Sequence, residues 1–366
     1  MRKLVILTIV LIIGLLIIYG VYKWGTSGST DNQPKVASIS QAEIPPAKPQ
    51  PTPQQIQTQT SIIDDDGAPG LPLNYSKAVI GDIPSLPMSK NAKTGILVDL
   101  NTREVLWAKK PKVPVLIASM TKMMSILLIL EDLKSNPKIG LDTMVQVTKE
   151  ASHIGGSRVW LDPKEQFTIR ELLKSMIVHS ANDSTYLLAQ YFGGGDADVF
   201  VERMNERSKE LGLSATFTNT QGLPEKKASD ENRASAEDMV FLAEKLLKSP
   251  IVLEDNKLKS IVFRPDSGKA LNLLNTNRLI RNDFPGINGM KTGFTARAGF
   301  CITATCNRDG RVLVAVVTGF ANGKERDKFV GQLLSWGYKP TKAQKTGSST
   351  KGVPSVTSAT TKKINP

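Results

Sequence analysis

The sequence predicts an α+β domain in which helices cover a single sheet. Residues 94–100 and 104–107 alternate apolar and polar side chains around Asn101-Thr102, which predicts a hairpin near the start of the domain. Residues 299–306 and 311–319 form two further β runs, and the Asp309-Gly310 pair between them predicts a second hairpin. Helical patterns fill the interval, so strands from both ends are expected to share one sheet.

Several helices are predicted from apolar periodicity and end signals. They cover residues 119–133, 168–178, 183–192, 198–211, 235–248 and 325–336. Thr168 and Glu171 form a capping box at the start of the second helix, and Ser235 with Asp238 gives a similar start signal for the fifth. Three glycines end the third helix, and Gly212 is placed as the C-terminal cap of the fourth.

Both ends of the chain differ from the folded domain, which is predicted to span residues 74–338. Residues 4–22 are almost wholly apolar after Arg2 and Lys3, and a helix of that length extends about 28 Å, close to a bilayer core. Residues 1–24 are therefore expected to be a membrane anchor with a cytoplasmic N-terminus, and a cleaved signal segment is the alternative. In both cases the domain is exported. Residues 25–73, rich in Pro, Gln, Ser and Thr, are expected to form a disordered linker.

The charge of the chain points to an anionic neighbour. The net charge is +13, and residues 339–366 contain six lysines and no acidic residue. These last residues are expected to be a disordered basic tail, either solvated or in electrostatic contact with an anionic polymer or lipid. Nucleic acid is not an expected partner.

The scarcity of cysteine and histidine argues against several chemistries. If Cys301 and Cys306 share a strand, a separation of five residues puts their side chains on opposite faces, so a disulfide is not expected. The histidines are His153 and His179, and the chain has no GxSxG motif, which argues against a Ser-His-Asp hydrolase. No residues have the spacing of metal ligands, and no cofactor is expected.

Three short polar motifs occur in a fixed order and carry the functional signal. They are Ser119-Met120-Thr121-Lys122, Ser180-Ala181-Asn182 and Lys291-Thr292-Gly293. As SxxK, SxN and KTG, they are the parts of a serine acyl-transfer enzyme that uses lysine as its base. Each motif is weak alone, and their order and setting together make the signal strong.

Ser119 is predicted to stand at the start of an apolar helix. There its hydroxyl lies near free backbone donors and the positive end of the helix dipole, which suit an anionic transition state. Lys122 falls on the same helix face, and burial among Met123, Met124 and other apolar residues should lower its pKa so that it can act as a base. The alternative is a helix cap followed by a lysine that reaches the solvent.

The other two motifs lie in a loop and on a strand. Ser180 and Asn182 are predicted between two helices, where Ser180 would relay a proton and Asn182 would bind the substrate amide and hold Lys122. A plain turn with a helix cap is the alternative. KTG occurs three times, at residues 93–95, 291–293 and 345–347. The middle copy suits an edge strand lining a cleft, with Gly293 leaving space for a substrate backbone.

Residues from about 73 to 338 resemble the D-alanyl-D-alanine carboxypeptidases, the low-molecular-mass penicillin-binding proteins. The resemblance rests on residues 118–124, 180–183 and 289–295, together with Gly156-Ser157 and Ala298-Gly299. It implies a β-lactamase/transpeptidase-like fold, an antiparallel sheet flanked by helices with an inserted all-helical subdomain that contributes the second motif. It also implies the site residues: Ser119 as nucleophile, Lys122 as base, the N–H groups of Ser119 and Phe294 as oxyanion hole, and Lys291 and Thr292 as ligands of the terminal carboxylate.

Two residues concern specificity within this resemblance. A carboxypeptidase must hold a free carboxylate, and arginine does so with a paired fork. The family's candidate corresponds to Arg326, for which a surface arginine beside Glu325 and Asp327 is the alternative. Phe294 stands where several relatives have histidine, which leaves the fine specificity open.

The resemblance implies that the protein removes the terminal D-alanine of peptidoglycan stem peptides through an acyl-enzyme on Ser119. It further implies inhibition by β-lactams. The apolar N-terminal run is expected to keep the domain at the cell membrane, or to release it to the cell wall if the segment is cleaved, and the charge of the basic tail makes an anionic wall polymer a possible partner. A DD-endopeptidase of cross-links is the main alternative. A class A β-lactamase would need a deacylating glutamate, and neither Glu225 nor Glu231 stands in that motif. A non-enzymatic wall-binding protein is the third alternative.

Overall fold

The computed structural model describes residues 62–339, which contain both strands and helices. The strands are β1 (Val79–Ile80), β2 (Thr94–Asp99), β3 (Val105–Lys109), β4 (Val115–Leu116), β5 (Met144–Gln146), β6 (Gln166–Thr168), β7 (Arg233–Ala234), β8 (Ser260–Phe263), β9 (Leu271–Leu274), β10 (Ile287–Thr295), β11 (Gly299–Arg308) and β12 (Arg311–Phe320). The α-helices are α1 (Lys122–Ser135), α2 (Lys149–Ser152), α3 (Ile169–Val178), α4 (Asn182–Phe192), α5 (Ala197–Glu210), α6 (Ala236–Leu246), α7 (Pro250–Asn256), α8 (Arg278–Arg281) and α9 (Gly323–Gly337).

The main sheet has six strands in the order β1-β3-β2-β12-β11-β10. Strands β1 and β3 are parallel, and the other neighbours are antiparallel. Both ends of the domain thus contribute to one sheet, as the two predicted hairpins require. The prediction of an α+β fold with an antiparallel sheet flanked by helices is confirmed.

Each face of the sheet packs against its own set of helices. On one face, apolar side chains meet α1 and α6, and the core continues into the helical region of α3, α4 and α5. On the other face, α9 covers β11 and β12. Cys301 belongs to the first cluster and Cys306 to the second, and both are buried free thiols. The expectation that they lie on opposite faces of one strand is confirmed.

Local signals explain where the main helices begin. Thr168 and Glu171 form the predicted capping box at α3, and Ser235 with Asp238 forms another at α6. The first predicted helix differs at its start, because Ala118–Thr121 is a 3₁₀ turn and the α-helix begins at Lys122. The small strand pairs β4–β7, β5–β6 and β8–β9 have no counterpart in the sequence predictions.

The domain begins earlier than the predicted boundary at residue 74. Ile63 is 2% exposed and belongs to the main core, and the Ser249 hydroxyl donates to the Ile62 carbonyl over 2.7 Å. Asp65 forms ion pairs of 2.9 Å with both Lys245 and Lys248. Residues 62–73 are therefore folded onto α6 and its C-terminal end, which corrects their assignment to the linker. Their contacts involve single side chains and backbone groups, so they have no helical or strand period.

The rest of the predicted linker and the predicted anchor and basic tail lie outside the described residues. Across residues 62–339, the structure contains no helix that is both long and apolar enough to cross a membrane.

Candidate active site

Ser119 stands in the 3₁₀ turn that precedes α1, half-buried at the end of the sheet near β10. Ala118, immediately before it, has a φ of 47°. If Gly293 carried a Cβ atom, that atom would lie 2.5 Å from the carbonyl oxygen of Ile117. A Cβ atom on Gly222 would lie 2.1 Å from the carbonyl oxygen of Ala118. Two distant glycines thus allow the backbone to close around the serine turn. The space predicted at Gly293 for a substrate backbone is instead filled by this turn.

Lys122 is fully buried and its amine faces the Ser119 hydroxyl. Its Nζ lies 3.2 Å from Ser119 Oγ and donates to Asn182 Oδ1 over 2.7 Å and to the Gln221 carbonyl over 2.6 Å. Burial, and then the charge of Lys291, hold the pKa of Lys122 well below its usual range, whereas the charge of Asp183 acts in the opposite direction. The amine is therefore positioned and tuned to accept the hydroxyl proton of Ser119.

The SxN segment lies between α3 and α4, as predicted. Ser180 has a φ of 64°, is 4% exposed, and its Oγ has no hydrogen-bond partner among the described residues. Asn182 begins α4, and besides accepting from Lys122 it donates from Nδ2 to the Gly155 carbonyl over 2.8 Å. A strained, unpartnered hydroxyl beside an anchored amide has the features of a reactive site.

Lys291 and Thr292 lie on β10, the edge strand of the sheet. Lys291 is 2% exposed, and its Nζ donates to the Thr292 carbonyl over 3.1 Å. Burial, followed by the charge of Arg326, lowers the pKa of Lys291 to about 7. The Thr292 hydroxyl donates to the Thr276 hydroxyl over 2.8 Å. The middle KTG copy is therefore on an edge strand beside the serine turn, where it was predicted.

The two predicted specificity residues, Phe294 and Arg326, differ in how far they are exposed to solvent. Phe294 is 55% exposed and stacks on Phe300 with a centroid separation of 4.0 Å. Arg326 is 5% exposed, so the alternative of a surface arginine is wrong. Its Nε and Nη2 donate to Asp327 Oδ1 over 2.9 and 2.6 Å, and its Nη1 donates to the Cys301 carbonyl. Because the fork is occupied internally, direct carboxylate binding by Arg326 stays a prediction.

Two further side chains, Asn232 and Asp183, hold the surroundings of Ser119. Asn232 is buried, donates to the Thr121 hydroxyl over 2.9 Å, and accepts from the backbone N–H groups of Thr218 and Asn219. It thereby fixes the loop that supplies the Gln221 carbonyl to Lys122. The buried carboxylate of Asp183 accepts from the Val159 and Leu161 N–H groups. The sequence did not single out Asn232, because a lone Asn outside a motif gives no signal of such a role. Asp183 lies within the stretch of residues 180–183 quoted for the resemblance, but its bonds to residues 159 and 161 were not predicted.

The other candidates from the sequence are engaged elsewhere. In the first KTG copy, Thr94 bonds to Thr318 within the sheet, while the third copy lies outside the described residues. His179 ends α3 and its Nδ1 lies 3.2 Å from the Leu274 carbonyl. Glu225 accepts from Asn219, and buried Glu231 pairs with Arg297. Within residues 62–339 no three His, Cys, Asp or Glu side chains are grouped to hold a metal ion.

A serine hydroxyl facing a buried lysine of lowered pKa is the arrangement found in serine enzymes of the lysine-assisted class. The family model described as D-alanyl-D-alanine carboxypeptidase, peptidase S11, matches residues 82–322, and the chain belongs to this family. Over 252 residues the chain is 35% identical to the D-alanyl-D-alanine carboxypeptidase DacF of Bacillus subtilis, covering 69% of this chain and 63% of that protein.

Solved structures show the same fold. The chain is similar to penicillin binding protein 5 from Haemophilus influenzae, with a TM-score of 0.62 and 29% identity over 68% of this chain and 71% of that one. It is also similar to Penicillin-Binding Protein D2 from Listeria monocytogenes in its ampicillin-bound form, with a TM-score of 0.59 and 25% identity over 68% of this chain and 98% of that one. The family predicted from the motifs is thereby confirmed.

Proposed function

We propose that the protein is a serine D-alanyl-D-alanine carboxypeptidase that trims the terminal D-alanine of peptidoglycan stem peptides. The observation that carries the proposal is Lys122, a buried amine of lowered pKa that lies 3.2 Å from Ser119 Oγ and is fixed by Asn182. The family membership supplies the substrate class, since the relatives are named for this reaction.

The reaction follows from these positions. Neutral Lys122 takes the Ser119 proton as Oγ attacks the carbonyl between the two terminal D-alanines. The backbone N–H groups of Ser119 and Phe294 stabilise the oxyanion. The Ser180 hydroxyl, free of other partners among the described residues, passes the proton to the leaving amine. Terminal D-alanine leaves, and water, deprotonated by Lys122, then hydrolyses the acyl-enzyme.

Lys291 and Thr292 are proposed to hold the carboxylate of the departing residue. With a pKa of about 7 in the free site, Lys291 is poised between its charged and neutral forms. An anionic carboxylate beside it favours the charged form, so substrate binding and protonation of Lys291 support each other. Phe294, exposed at the end of the same strand motif, is proposed to contact the substrate through its ring as well as its N–H group.

The ampicillin-bound relative leads to a direct experiment. We expect labelled penicillin to form a stable adduct on Ser119, detected by mass spectrometry, and a peptide ending in D-Ala-D-Ala to lose one alanine. Ser119→Ala should abolish both, and Lys122→Ala should slow acylation by about 100-fold or more. Ser348→Ala is the matched control, because Ser348 to Lys351 repeats the SxxK pattern in the tail. A penicillin adduct that persists in Ser119→Ala would contradict the proposal.

The same experiment separates the alternatives. A DD-endopeptidase would cleave cross-linked muropeptides in preference to the linear peptide, and a β-lactamase would turn penicillin over rapidly. The comparisons do not favour the endopeptidase, since the curated relative described above is a carboxypeptidase. The pairing of Glu231 with Arg297 places that carboxylate in an internal ion pair, which does not support a deacylating role.

We propose further that residues 1–24 anchor the protein in the cell membrane and that the basic tail contacts anionic wall polymer. The support is the apolar run of residues 4–22 and the six lysines of residues 339–366. In cell fractionation we expect the full chain in the membrane pellet after a high-salt wash, and released when residues 4–22 are deleted. Deleting the tail should reduce only salt-sensitive binding to isolated walls. A mature N-terminus beyond residue 24 would contradict the anchor.

A further inference from the structure

The loop of residues 155–161 forms a wall of the site next to Asn182. The Asn182 N–H donates to the Ser157 carbonyl over 2.7 Å, and its Nδ2 donates to the Gly155 carbonyl. A Cβ on Gly156 would lie 2.6 Å from that Nδ2. The loop is therefore in contact with the amide that holds Lys122.

Two buried charged residues fix the backbone of this loop from both sides. Asp183, 1% exposed, accepts from the N–H groups of Val159 and Leu161 over 3.0 and 3.2 Å. Arg264, 7% exposed, donates to the carbonyls of Val159 and Trp160, both over 2.8 Å. The N–H groups of this short segment are thus held by a carboxylate and its carbonyl groups by a guanidinium. These bonds on both sides make the loop rigid where it meets the site.

The rigid loop displays an unusual surface pair. The backbone of Trp160 has a φ of 58°, which is a strained conformation for a residue with a large side chain. The side chain is 61% exposed, so burial of its ring does little to offset that strain. The Arg158 guanidinium lies 3.5 Å from the centroid of the Trp160 ring. Across residues 62–339 Arg158 makes no ion pair and its side chain donates no hydrogen bond. A stacked arginine whose donors are unoccupied offers a planar fork to a carboxylate.

We propose that Arg158, stacked on Trp160, binds a carboxylate carried by the substrate on the N-terminal side of the scissile bond. This inference rests on the proposed function, in which Lys291 and Thr292 take the C-terminal carboxylate, and on the prediction that Asn182 binds the substrate amide. Arg158 belongs to the loop attached to Asn182 and not to the KTG strand that takes the C-terminal carboxylate, which assigns it to the acyl side. Arg326 has its fork filled by Asp327 and the Cys301 carbonyl, whereas the fork of Arg158 is open to a ligand.

The test compares two peptides ending in D-Ala-D-Ala that differ in one group. One carries a free side-chain carboxylate on the residue before the two alanines, and the other carries the matching carboxamide. We expect the wild-type protein to prefer the carboxylate peptide by about 10-fold or more in kcat/KM, mainly through KM. The same preference is measured as protection of Ser119 from labelled penicillin, which reports binding even when turnover is slow.

In Arg158→Gln the preference should fall to about one, and Arg158→Lys should keep part of it. Arg308→Gln is the control, because Arg308 also stacks on an aromatic ring, that of Tyr338 at 4.4 Å, but lies at the β11–β12 turn. It should keep the full preference, and thermal unfolding shows that each variant is folded. Equal treatment of both peptides by the wild type, or a preference that survives Arg158→Gln, overturns the inference. Absence of penicillin labelling in the wild type would instead overturn the proposed function.

Discussion

Lys122, Lys291 and Arg326 bring three basic side chains into the buried part of one site. Arg326 forms a buried ion pair with Asp327 at 2.6 Å. Lys291 responds to burial and to that fixed charge with a pKa of about 7, and Lys122 responds to burial and to Lys291 with a pKa well below its usual range. Burial and a neighbouring charge thus favour the neutral amine of Lys122, the form that the proposed role as a base requires.

Lys291 provides a test of this electrostatic series through stability. In the unfolded chain Lys291 keeps its proton up to the ordinary pKa of 10.5, whereas in the folded protein Lys291 loses its proton near pH 7. The buried charge therefore destabilises the fold fully below pH 7, and this cost declines as the pH rises from 7 to 10.5. We expect Lys291→Met to be more stable than the wild type below pH 7, with an advantage that falls by about 1.4 kcal/mol per pH unit across that window.

Urea unfolding of the two proteins at about pH 6 and about pH 9 measures this difference. Lys90→Met is the control, since Lys90 is exposed and should show no comparable dependence on pH. An advantage of Lys291→Met that stays constant or grows with pH would show that Lys291 keeps its ordinary pKa in the fold.

At the scale of elements, the sequence predicted what local chemistry determines. The capping boxes at Thr168 and Ser235 were predictable because a side chain and a backbone N–H group three residues apart suffice to make them. The opposite faces of Cys301 and Cys306 follow from the two-residue period of a strand. The three motifs could be placed at a helix start, an interhelical loop and an edge strand because local patterns in the sequence also mark those elements.

The remaining features of the site depend on contacts between distant segments. The positive φ of Ala118 and the 3₁₀ turn around Ser119 exist because Gly222 and Gly293 allow other strands and loops to close on them. Nothing within a few residues of Ser119 encodes that. Likewise Arg326 has a polar helical setting in the sequence, and its burial follows from the packing of α9 on the sheet. Tertiary contacts, rather than propensity, decide such positions.

At the scale of the whole molecule, the folded unit includes a segment that its composition assigned to a linker. Residues 62–73 contribute one buried isoleucine and one buried carboxylate, too few to produce a recognisable period. Asp65 nevertheless pairs with Lys245, whose side chain is 5% exposed. Burial alone would raise the pKa of Asp65, but the hydrogen bonds and charges of Lys245 and Lys248 lower that pKa below its ordinary value. The segment therefore neutralises a buried cation of α6, and its removal would leave that cation unpaired.

The matched pair Asp65 and Asp66 tests this boundary, because Asp66 is 72% exposed and 3.8 Å from Lys248. We expect Asp65→Asn to lower the free energy of unfolding by about 3 kcal/mol and Asp66→Asn by less than about 0.5 kcal/mol. A chain that begins at residue 74 should lose at least as much as Asp65→Asn when compared by urea unfolding with one that begins at residue 61. Since the pKa of Asp65 is lowered from 3.8, its contribution is present above that pH and disappears as the pH falls through the folded-state value. Equal stability of the two shortened chains would return residues 62–73 to the linker.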